Sequence, residues 1–125
     1  MSLPDRDREY LRGKQIPFEE VTEGGQRAVI FKDRPLPSEQ YDAERADVLV
    51  ILPGNYDDAP PDMFYTLPWL KLRRTGQYPS KADVPQTFVS KSWQRWSRHN
   101  NEWRAGVDGI RTVLQRIDTA LRVAA

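Results

Sequence analysis

The amino-acid sequence predicts a single α+β domain over residues 1–125: an N-terminal helix, a four-stranded antiparallel meander, a long irregular segment and a C-terminal helix. Three observations predict it. Apolar residues recur at helical spacing only near the two ends of the chain. Between residues 18 and 66 the pattern changes to short β-branched and aromatic runs bounded by turn residues. Residues 67–92 follow neither period and contain Pro68, Gly76, Pro79 and Pro85.

The first helix is expected over Ser2 to Lys14. Ser2 suits a cap, Pro4 a first turn, and Asp5 and Asp7 the positive end of the helix dipole. Leu3, Tyr10 and Leu11 give it one apolar side, and Gly13 and Pro17 end it. Two strands, Phe18 to Thr22 and Arg27 to Phe31, flank the hairpin signal Glu23-Gly24-Gly25-Gln26. Arg34 to Glu44 holds two prolines and reads as a connection. Asp47 to Leu52 is a near-continuous apolar run, the pattern of a strand buried on both faces, and Pro53-Gly54 stops it. Met63 to Thr66 is the fourth strand. Near the end, Val107, Ile110, Val113, Leu114, Ile117 and Leu121 form a helical stripe, with Asp108 as its expected N-cap. Arg111, Arg116 and Arg122 fall off that stripe, where a solvated face is expected.

Composition excludes several chemistries. The chain has no cysteine, which removes disulfides, thiolate metal sites and thiol nucleophiles. It has one histidine, and a metal centre would need carboxylates gathered from elsewhere. No Gly-rich phosphate loop and no Gly-x-Ser-x-Gly elbow is present. Neither a metal nor a cofactor is therefore expected. Charged residues make up 30% and no apolar run approaches the ~20 residues of a membrane span. With no basic-then-apolar N-terminal segment, the expected location is the cytoplasm, away from membranes. The net charge of +1 hides an asymmetry. Residues 1–62 carry 14 acidic and 8 basic residues, whereas residues 63–125 carry 4 and 11. Such a dipole either steers an oriented partner or is neutralised where the halves pack.

The run Ser92 to Arg104 holds three of the four tryptophans, the histidine and three arginines. Trp93, Arg95, Trp96, Arg98, Asn100 and Trp103 are the candidate binding residues, and His99 is the candidate catalytic residue. Indole rings bring area and an N–H that needs a partner, and guanidinium groups bring planar donors. The tryptophans would either form such a platform or plug the core. Upstream, Tyr56-Asp57-Asp58-Ala59-Pro60-Pro61 reads as a stiff turn, with the Tyr56 ring on the prolines and its hydroxyl on backbone.

A buried strand ending in Leu52-Pro53, the turn Tyr56-x-x-x-Pro60-Pro61, another strand, a long segment and Trp103 before a helix together resemble the ubiquitin-conjugating enzyme fold, shared by RWD domains. Pro61-Asp62-Met63-Phe64-Tyr65 with Trp93-Gln94-Arg95-Trp96-Ser97-Arg98-His99-Asn100 is similar to the prokaryotic family E of that superfamily. The resemblance covers nearly all of the chain. It implies a bacterial pathway whose partners are a ubiquitin-like or multi-ubiquitin-like protein, an activating enzyme and/or a JAB-type peptidase. It also implies a thioester cysteine about eight residues before Trp103, and Arg95 stands there instead. Ser92 and Ser97 miss that spacing, and the His-Pro-Asn element that supports the oxyanion has no counterpart before it. The leading expectation is thus a non-catalytic relative, a pseudoenzyme acting through protein–protein interaction. Two other classes stay open: an enzyme using His99 with a hydroxyl or water, and a nucleic-acid or adaptor scaffold. The sequence pI of about 8.0 and the acidic N-terminal half argue against nucleic acid.

Overall fold

The computed structural model describes residues 3–98 and 102–125. Helix α1 (Asp5–Gly13) leads into β1 (Phe18–Glu23), β2 (Gln26–Pro35), β3 (Arg45–Leu52), β4 (Phe64–Leu67), β5 (Val84–Phe88) and β6 (Lys91–Trp96), and α2 (Ile110–Val123) follows. The architecture is α+β, as expected, with every strand pairing antiparallel.

The sheet has six strands where four are expected, in the order β1-β2-β3-β4-β6-β5. The first four form the expected meander. Gly24 and Gly25 turn β1 into β2 with positive φ, a conformation that glycine adopts without strain. The segment after β4 is shorter than expected. It runs to Asp83, then β5 returns along the sheet edge and β6 inserts between β4 and β5. The β5–β6 turn is Val89-Ser90, both at positive φ without a glycine. β5 is an open edge. Pro85 sits at a position whose backbone points away from β6, so a strand arriving there would meet no N–H.

Alternation along the strands divides the core in two. Val29, Phe31, Val48, Val50, Leu52, Phe64 and Trp96 face both helices, meeting Leu3 and Leu11 from the N-terminal side and Ile110, Val113, Leu114, Ile117 and Leu121 of α2. Ala28, Ile30, Leu49, Tyr65, Phe88 and Trp93 form a second cluster on the opposite face. The β3 run is continuous because it feeds both. Ser2, the expected cap of α1, lies outside the described residues, and Pro4 stands at the N-cap without a side-chain hydrogen bond. Two further details differ from the sequence reading. Val107 is 61% exposed and stands outside α2. The α2 N-cap is Gly109, not Asp108, which lies one residue earlier.

Candidate functional site

The first part of the tryptophan–arginine run, Ser92 to Trp96, belongs to β6, and strand alternation sends its side chains to opposite faces. Trp93 is fully buried in the second cluster and donates its indole N–H to the Phe88 carbonyl at 3.0 Å. Trp96 is fully buried on the helix side, stacked on Phe64 with centroids 5.2 Å apart, and donates to Thr66 Oγ1 at 2.9 Å. Neither indole has surface to offer a partner, so both can act only by bracing the sheet. Arg98 lies over the Trp96 ring at 5.3 Å, half-buried, and burial lowers its pKa. Arg95 is the penultimate residue of β6, an inner strand, and is paired to Tyr65 of β4 and Val84 of β5. Its Nε is buried with no hydrogen-bond partner among the described residues. The expected thioester position is therefore the interior of a sheet strand with neighbours on both sides.

Between these residues, Gln94 is a structural centre that sequence reasoning missed. It is fully buried, and its amide oxygen accepts from Thr66 Oγ1 at 2.8 Å and from the Leu70 N–H at 2.6 Å. Its amide nitrogen donates to the carbonyls of Leu70 at 3.0 Å and Ala82 at 2.7 Å. One side chain thus ties the 68–83 segment to the sheet. All four bonding positions of the amide are filled.

A second polar centre joins α1, the 56–63 turn and α2. Asp7 is buried and accepts the Tyr56 hydroxyl at 2.7 Å and the Ile110 N–H at 3.1 Å. A carboxylate from α1 thereby satisfies a free N–H at the start of α2. The approach is close. A Cβ on Gly109 would lie 2.7 Å from Asp7 Oδ1, so the cap position has no room for a side chain. The Tyr56 hydroxyl goes to this carboxylate rather than to backbone, and the Tyr56 ring packs on Trp103 with centroids 6.2 Å apart. Burial, then the Asp7 hydrogen bond, push the Tyr56 phenol pKa well up. Trp103, half-buried, donates to the Asp57 carbonyl at 2.9 Å. Arg6 pairs with Asp57 Oδ2 at 2.8 Å and donates to the Asp108 carbonyl at 2.5 Å.

Beyond Trp103 the surface opens into a groove of about 570 Å³ along the first turns of α2. Arg104, Arg111 and Arg116 line it with Trp103, Val107 and Thr112. Arg111 and Arg116 are thus not a merely solvated face. Arg116 lies over the Trp103 ring at 5.8 Å and donates to the Glu102 carbonyl. Asp108 accepts from the Arg104 N–H at 2.8 Å, from the Arg104 guanidinium at 3.2 Å and from Thr112 Oγ1 at 3.0 Å. The Arg104 backbone N–H, then its guanidinium, hold the Asp108 carboxyl below the usual carboxylate range. The signal that could have revealed the groove is Arg111, a cation in the first turn of a helix, where the dipole disfavours it.

His99 and Asn100 lie outside the described residues. Among the described residues, Arg95, Arg98 and Trp103 are the partly accessible members of the expected set. Among the described residues no group of three or more His, Asp or Glu could hold a metal ion, and no helix is long and apolar enough to cross a membrane.

Comparison with known proteins gives one match: the family described as Prokaryotic E2 family E, over residues 3–124. No curated protein and no solved structure matches.

Proposed function

The chain belongs to prokaryotic E2 family E, and on that premise we propose that it binds a ubiquitin-like protein, its activating enzyme, or both, without carrying cargo as a thioester. One observation supports this reading above the others. An E2-family chain lacks cysteine entirely, and its Arg95 position is built into a paired strand. A thioester needs a sulfur nucleophile presented where an incoming acyl group can reach it. Here the sulfur is absent, and the strand that would present it is held between β4 and β5. What the scaffold retains is shape and surface: Arg98 beside Trp96, and the Trp103 region that follows. A bacterial ubiquitin-like pathway, cytoplasmic and with a multi-ubiquitin-like protein or a JAB-type peptidase as further partners, belongs to the same proposal.

The test is calorimetry of the purified chain against the ubiquitin-like protein and against the activating enzyme encoded beside it. A saturable heat with at least one of them is expected. Silence with both would defeat the proposal.

A further inference from the structure

The groove beside Trp103 has a composition that folding does not explain. Arg111 occupies the second residue of α2, at the helix end where a cation is unfavourable, and α2 has no acidic residue in its first turn. Arg111 makes no hydrogen bond or ion pair among the described residues. Arg104 reaches Asp108 with one nitrogen, yet its side chain is 74% exposed, leaving guanidinium donors directed to solvent. Two carboxylates also line the groove, Glu102 and Asp108. Asp108 is already taken up by Arg104 and Thr112, and Glu102 is not free either. Val107, 61% exposed, supplies an apolar wall. The whole lies in the half of the sequence with 11 basic and 4 acidic residues.

We propose that this groove binds an acidic peptide segment of a protein partner, with carboxylates paired to Arg104 and Arg111 and aliphatic parts laid against Val107. Guanidinium groups suit planar, bidentate carboxylate recognition. A groove of about 570 Å³ is large enough for several side chains and too open for a single small anion. Nucleic acid is the poorer fit. Tyr56 and Arg116 already pack on the Trp103 ring, so it is not free as a stacking platform for bases. The inference rests on the proposed function for one point, that the partner is a protein, and adds the chemistry by which it is recognised.

The test uses fluorescence anisotropy with a fluorescein-labelled peptide of alternating glutamate and leucine, and with a labelled single-stranded oligonucleotide of equal charge. The full chain is compared with Arg111→Glu and with Lys91→Glu, an equal charge change at the start of β6. The peptide should bind the wild type and Lys91→Glu alike and bind Arg111→Glu at least about tenfold more weakly. The melting temperature of Arg111→Glu should match or exceed the wild type, because glutamate suits a helix N-terminus. Equal weakening by both substitutions, absence of peptide binding, or tighter binding of the oligonucleotide would each overturn the groove. If Arg111→Glu still captures the ubiquitin-like protein at full affinity, the groove fails as its seat while the broader function stands. If the peptide binds and neither the ubiquitin-like protein nor the activating enzyme does, the groove stands and the broader function fails.

Discussion

Single side chains hold this molecule together at points where three elements meet. Asp7 is the clearest. Asp7→Ala leaves the Tyr56 hydroxyl and the Ile110 N–H without their acceptor in a buried setting. We expect a loss of roughly 2–4 kcal/mol in denaturant unfolding, whereas Tyr56→Phe should lose only about 1 kcal/mol. Gly109→Ala should destabilise as well, by roughly 1–3 kcal/mol, since the new methyl meets Asp7 Oδ1. Tyr41 gives a pH signature. Burial pushes its phenol up to about 12 from 10.0, and its hydroxyl donates to the Leu121 carbonyl. A folded-state pKa raised in this way stabilises fully below pH 10 and is lost as pH rises to about 12. The melting temperature should therefore fall across that alkaline window, less steeply in Tyr41→Phe. The rise is worth on the order of 2–3 kcal/mol. Asp108 acts at the other extreme, and its contribution is complete above the ordinary carboxylate range and declines as pH falls through it.

At the level of elements, the β5–β6 hairpin decides what the site can be. It was the least legible part of the sequence, for a physical reason. Its turn is Val89-Ser90 at positive φ, without the glycine or asparagine that marks most two-residue hairpins. Pro85 within β5 also argues against a strand until the strand is known to be an edge. By contrast β1, β2 and β3 were legible because Gly24-Gly25 and the Asp47–Leu52 run carry local signals that tertiary structure did not override. The role of Gln94 was hidden because its partners come from Thr66, Leu70 and Ala82, far away in sequence. Replacing it by leucine should strand the Leu70 and Ala82 backbone groups and loosen the 68–83 segment before the sheet itself. Hydrogen exchange should show faster exchange at the Leu70 amide, with the amides of β2 and β3 unchanged; uniform protection would refute this role.

Across the whole molecule, a chain of prokaryotic E2 family E has an α+β fold and contains no cysteine. Two helices on one face of a continuous sheet place Tyr56, Trp103 and the start of α2 together, whereas the sequence reading lays the Tyr56 ring on Pro60 and Pro61. What sequence could not separate was bracing from contact. By composition Trp93 and Trp96 read equally as a platform or as core, and their place in an inner strand shows them buried. The arginines of α2 read like solvent decoration until Trp103 folded over beside them.

Intact mass spectrometry most directly tests the proposal that this cysteine-free chain binds its partner without a thioester. The chain is mixed with the ubiquitin-like protein, its activating enzyme and ATP, then measured under native and denaturing conditions. A complex present in the native spectrum and absent after denaturation, with the chain's mass unchanged, is the expected result. A covalent adduct that survives denaturation and is released by hydroxylamine would contradict it.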